Sequence, residues 1–217
     1  MARGFVRCVM GALGALAIVI AAQTPARACK GATTLFRDDF TDVDPAWGLT
    51  DQNQAQIGGG AMSVTTEPNH YRFFYYQGQN FAAADACVDV VFPTAPSKFS
   101  QGGLGFWNGR FWDFVYIQPD GQAGVTGVQN GFWVNPVPPR RADSIKTAPG
   151  AANRLRVVWK APPEPNANVS TDPTVEVYIN DNLFVKFKTP PNLDRSIAIY
   201  ADTEGLTYQF KNLIVTQ

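Results

Sequence analysis

The chain has 217 residues, with 18 Lys and Arg against 18 Asp and Glu, a single His, and 17% charged residues. That balance excludes a binder driven by positive charge, so no nucleic acid is expected as a partner. With 45% hydrophobic and 12% aromatic residues the chain is not disordered, and 19 Gly with 16 Pro point to many short strands joined by tight turns.

Residues 1–28 read as an export signal. Arg3 and Arg7 form a basic start, and 9–22 is an uncharged, nearly all-apolar run. At about 1.5 Å per residue that run spans roughly 21 Å, short of a bilayer core of about 30 Å. Ala26-Arg27-Ala28 supplies the small-x-small pattern of a signal-peptidase site, so cleavage is expected after Ala28. Cys29 would then lead the chain, but Arg27 and Ala26 do not suit a lipoprotein signal, and no Arg-Arg pair precedes the apolar run. The mature chain, 29–217, is expected as one domain, secreted or periplasmic, with no stable membrane insertion. The leader carries three bases and no acid, which leaves a mild −3. Cleavage also removes Cys8. Cys29 and Cys87 remain, an even pair in an exported chain, and are read as one disulfide.

The rest reads as strands. An extended run opens at 35–40. Next comes 71–77, where Tyr71, Phe73 and Tyr75 alternate with Arg72, Phe74 and Tyr76. In 87–92, Val88, Val90 and Phe92 form an apolar face opposite Cys87 and Asp89. Strands are expected at 104–107, 111–118, 122–129 and 132–134, punctuated by Asn108-Gly109, Asp120-Gly121 and Asn130-Gly131, dipeptides suited to positive-φ turns. The Pro-rich, basic stretch 136–150 and the four-proline stretch 161–173 interrupt the rhythm and are expected as loops. Strands resume at 155–159, 175–179, 183–188, 197–200 and 208–215. About a dozen short strands and no sustained helical period predict an all-β sandwich or barrel.

The order of motifs resembles concanavalin A-like, laminin-G-like jelly rolls. Leu35-Phe36-Arg37-Asp38-Asp39-Phe40 resembles their opening strand and Gly102-Gly103-Leu104-Gly105-Phe106-Trp107 a central one. Pro119-Asp120-Gly121 resembles a shared hairpin turn. Asn153-Arg154-Leu155-Arg156, followed by Tyr178-Ile179-Asn180-Asp181-Asn182, resembles a further segment, and Tyr208-Gln209-Phe210-Lys211-Asn212-Leu213 the close. The nearest group is a bacterial domain related to 3-keto-disaccharide hydrolases and family 16 glycoside hydrolases. The resemblance implies a two-sheet antiparallel jelly-roll sandwich, often sugar-binding and sometimes hydrolytic.

Retaining glycosidases need two carboxyl groups about 5–5.5 Å apart. The Glu-x-Asp-x-x-Glu motif of family 16 is absent, and none of the four Glu residues (Glu67, Glu164, Glu176 and Glu204) has an acidic partner two positions on. A single His leaves no material for a zinc site or a Ser-His-Asp triad. No cofactor is expected; Asp38 and Asp39 are the candidates for a structural calcium, which related jelly rolls sometimes carry. The strongest functional feature is the aromatic supply. Trp107, Trp112, Tyr116 and Trp133, with Arg110 and Asp113 beside them, are the candidate ligand-binding residues, since flat rings stack on sugars and polar neighbours bond hydroxyls. The expected function is a monomeric, non-catalytic carbohydrate binder. The alternatives are a glycoside hydrolase or lyase built around Asp113, and an adhesion module.

Overall fold

The computed structural model describes residues 29–49, 55–95, 97–107, 111–160, 174–189 and 195–217. The export signal expected at 1–28 lies outside them. No helix among the described residues is long and apolar enough to cross a membrane.

The described strands are β1 (Thr34–Asp38), β2 (Ala55–Gly58), β3 (Ala61–Thr65), β4 (Arg72–Tyr75), β5 (Ala84–Val91), β6 (Gln101–Trp107), β7 (Phe111–Ile117), β8 (Gln122–Gln129), β9 (Phe132–Arg141), β10 (Ala152–Trp159), β11 (Thr174–Ile179), β12 (Asn182–Lys188), β13 (Ser196–Asp202) and β14 (Thr207–Thr216). They form two antiparallel sheets. The eight-stranded sheet runs β12-β11-β10-β5-β14-β3-β2, with β1 also paired to β14; the six-stranded sheet runs β4-β13-β6-β7-β8-β9. The all-β, two-sheet jelly-roll sandwich implied by the sequence is the fold observed.

Local chemistry explains the turns. Asn130 and Gly131, at φ of 52° and 82°, make the two-residue β8–β9 hairpin, and Asn180 and Asp181, at 49° and 66°, the β11–β12 hairpin. One hairpin adds to the expected strands, and one expectation needs correction. The segment 55–65 forms the β2–β3 hairpin around its glycines, although its few apolar residues give little alternation. The strand read as 132–134 continues to Arg141 through Pro136, Pro138 and Pro139. It can do so because β9 is an edge strand paired only to β8, where a proline need cost no ladder hydrogen bond.

Period-2 alternation builds the core between the sheets. Val88, Val90, Leu155, Val157, Val175 and Val177 face it from the larger sheet, and Leu104, Phe106, Val115, Ile117, Ile197 and Ile199 from the smaller; all are buried. The outer face of the larger sheet is polar and ordered. Arg156 donates from Nε (2.8 Å) and an Nη (2.7 Å) to Asp85, and Arg154 likewise at 2.8 Å and 2.8 Å to Asp89, each pair joining β10 to β5. Asp85 also accepts from the Lys30 N–H at 3.0 Å. It thereby seats the N-terminal segment beside Cys87, which is bonded to Cys29 with Cα atoms 5.8 Å apart. This is the pairing the cysteine count predicted.

The disulfide closes 58 positions of sequence and ties down a segment that also bonds Asp85, Thr216 and Gln217. Replacing both Cys29 and Cys87 with Ser should lower stability by about 2–3 kcal/mol, at the low end for a disulfide because the core is large. Urea unfolding measures the loss. Intact mass with and without reductant should differ by two hydrogens in the native protein alone; two free thiols in folded, exported protein would refute the bond.

Candidate functional site

The second face of the six-stranded sheet points away from the core, and alternation loads it with rings. On β7, Val115 and Ile117 enter the core, so Trp112, Phe114 and Tyr116 take the other face; on β13 and β6 the same parity places Tyr200 and Trp107 there. Trp133 is level with Val128, which is level with Trp112, and joins them.

Strand β4, at the sheet edge, folds its rings across this face. Tyr71, just before it, lies 5.1 Å from Trp133 between ring centroids, Phe73 lies 4.6 Å from Trp112, and Tyr75 lies 4.3 Å from Trp107. Phe114 stacks on Tyr200 at 4.7 Å. Such pairs contribute about 0.5–1.5 kcal/mol each beyond burial. Tyr75 reaches across one intervening strand and Phe73 across two because the floor beneath them is almost bare. Ala198 on β13 and Gly103 and Gly105 on β6 occupy the positions between β4 and β7. A Cβ on Gly105 would stand 2.5 Å from the Phe114 ring, and one on Gly103 would stand 1.9 Å from the Val115 carbonyl oxygen.

Tyr71 and Trp133 belong to opposite edges and opposite ends of the sheet. Tyr71 precedes Arg72, which pairs Ala201, so it falls at the Asp202–Gln101 end; Trp133 falls at the Ser196–Trp107–Trp112 end. Sheet twist lifts one pair of diagonal corners toward the same face, and these two residues meet there. The face is therefore concave and its interior is filled by its own side chains. Trp133, 52% exposed, and Tyr71, 37% exposed, are the rings left at the surface, with Phe132 beside them at 75%.

The polar groups gather at the Tyr71 end. Asp202 is the one carboxylate that the six described strands place on this face. Its Oδ1 is buried without a hydrogen-bond partner among the described residues, as is Trp107 Nε1. The Tyr200 hydroxyl donates to Gln101 at 3.3 Å, and the Asn69 N–H to Glu204 at 3.3 Å. Burial, then the neighbouring Glu204, pushes the Asp202 carboxyl up to about 6 against the pull of His70.

Of the residues singled out in the sequence, Trp107, Trp112, Tyr116 and Trp133 come together on one face. Asp113 does not join them. It points toward the eight-stranded sheet, fully buried, accepting from the Thr189 hydroxyl at 2.6 Å with Arg195 at 3.9 Å. Burial raises its pKa, opposed by Thr189 and Arg195. These partners meet Oδ2, while Oδ1 is buried without a hydrogen-bond partner among the described residues. Arg110 lies outside the described residues. Asp38, a calcium candidate in the sequence, accepts from the Phe40 N–H and Trp47 Nε1 at 2.7 Å each, and Asp39 Oδ1 accepts from the Thr41 N–H at 3.1 Å. Asp202 was missed in the sequence. The spacing Asp202-Thr203-Glu204 at a strand end was its only signal.

No protein-family model matches the sequence, and no curated protein matches it. Solved structures match at the level of fold. A glycoside hydrolase family 16 endo-glucanase from Bacteroides ovatus superposes with a TM-score of 0.62 at 10% identity, over 83% of this chain and 99% of that one. The carbohydrate-binding module CBM66 from Bacillus subtilis gives 0.55 at 9%, over 72% and 86%. The alginate lyase Aly36B gives 0.55 at 11%, over 84% and 96%. All have concanavalin A-like jelly-roll folds, and this chain shares that fold.

Two expected outcomes follow from the site. An acid whose folded pKa is raised contributes stability that is complete below its unfolded value, 3.8, and is lost as pH rises through about 6. Asp202→Asn should therefore flatten the fall of melting temperature between about pH 4 and 6. Asp113→Ala should cost about 2–4 kcal/mol in urea unfolding, because it removes the acceptor of the buried Thr189 hydroxyl and the opposite charge beside buried Arg195.

Proposed function

We propose that the protein is an exported, monomeric, carbohydrate-binding jelly roll without catalytic activity. The observation that carries this reading is the half-exposed pair Trp133 and Tyr71, held at right angles (86° between planes) above a packed aromatic bed. A ring fixed by its neighbours stacks on the apolar face of a sugar at little entropic cost, and nearby hydroxyls and carboxylates bond its periphery. The absence of catalysis rests on the inventory of the concave face. Asp202 is its one carboxylate in the described strands, and the centre, where a retaining pair would need to sit, is floored by Gly103, Gly105 and Ala198. The fold neighbours named as a carbohydrate-binding module and as glycan-cleaving enzymes support a carbohydrate ligand by analogy.

One observation favours the hydrolase reading. Asp202 and Glu204 lie two residues apart at the end of β13, and an acid with a pKa near 6 is suited to general-acid work. Release of reducing ends, or of unsaturated products, from β-glucan, alginate or mucin O-glycans, abolished by Asp202→Asn, would establish it and overturn the binding-only reading.

The test of binding is a panel of the same three glycans, immobilised, against residues 29–217. Trp133→Ala should weaken binding by about 1–3 kcal/mol, the range of ring-on-aromatic stacking, with the melting temperature nearly unchanged. Trp112→Ala, whose ring packs under Phe73, should instead destabilise the fold by about 3 kcal/mol. Undiminished binding by Trp133→Ala would remove that ring from the site.

A further inference from the structure

Resting on that reading, we infer that the site takes the terminus of a glycan chain rather than a stretch of its interior. The ground is the contact between Tyr71 and Trp133. An internal segment of polysaccharide needs a trough open at both ends. Here the two edge strands of the concave sheet meet ring to ring, 5.1 Å between centroids, and the space beneath is occupied by Phe73, Trp112, Phe114 and Tyr200. The trough is bridged and filled, so a long chain has no path along it.

What remains accessible is a corner. Tyr71 belongs to the aromatic bridge and also lines a cavity of about 500 Å³ with Asn69, His70, Arg72 and Phe73. That volume lies within the range of about 300–1,000 Å³ that holds small ligands. Asn69 and His70 offer donors and acceptors beside the exposed Tyr71 ring. This suits a terminal sugar, which presents one flat face and a fringe of free hydroxyls, including the one that an internal residue has lost to its glycosidic bond.

Chain length separates the two modes. Isothermal titration would use β-glucan and alginate oligosaccharides from disaccharide to octasaccharide, and a cyclic β-glucan, which has no terminus. The expected result is an affinity that levels off by the trisaccharide for whichever series binds. For the β-glucan series the cyclic compound should be at least tenfold weaker than the linear one. Tyr71→Ala should weaken the trisaccharide at least tenfold, while Tyr71→Phe should retain stacking and most of the affinity. Affinity that climbs steadily to the octasaccharide, or equal binding of the cyclic compound, would overturn end recognition and leave carbohydrate binding standing. No binding by any oligosaccharide or by the immobilised panel would overturn both.

Discussion

The concave side of this protein depends on a steric permission: a strip of sheet without side chains large enough to obstruct it. Gly103, Gly105 and Ala198 leave the centre of the six-stranded sheet low, and the rings of Phe73 and Tyr75 lie across it onto tryptophans three and two strands away. Each ring exchanges water for a flat aromatic surface. The sheet gains a second apolar layer on the side that does not face its partner sheet. Curvature and packing support each other here, because the twist that lifts the Tyr71 and Trp133 corners also brings the rings within reach.

The two faces of the smaller sheet then have different tasks. Toward the larger sheet, Leu104, Phe106, Val115 and Ile117 complete an ordinary sandwich core, closed at one end by the Asp113–Thr189–Arg195 chain of polar contacts. Away from it, the aromatic bed stiffens the two rings that reach solvent. At the rim, Asp202 pays a desolvation cost for its position. The larger sheet contributes no ring to this face. Its outer surface is tied by the Asp85–Arg156 and Asp89–Arg154 pairs and by the disulfide that anchors the N-terminal segment.

What the centre of this face can hold is a matter of occupancy. A retaining-glycosidase pair there would need two carboxylates about 5–5.5 Å apart and room for substrate. This chain has glycine and alanine at the centre and rings above them, which is compatible with stacking at the edge. A shared fold at about 10% identity carries no site with it; the side chains on the concave face decide.

How much of this was legible beforehand follows from the range of each interaction. Alternation is local, so most strands, and the separation of Phe111 from Trp112 and Phe132 from Trp133, were readable from the chain, whereas the shared face of the tryptophans depends on the register of three strands. So was the disulfide, since only two cysteines follow the expected leader. The prolines of β9 misled because whether a strand lies at an edge is a property of the sheet, not of the strand. Asp113 misled because Thr189 and Arg195, which justify its burial, lie some 76 and 82 positions away and carry no pattern that points to it. Asp202 stood out only once its neighbours were in place. The sequence by itself determined strand identity, facing and the supply of rings, because those depend on neighbours one or two residues apart. Only the tertiary structure decided which rings are bed and which are rim, because the meeting of Tyr71 with Trp133 is set by the accumulated twist of six strands.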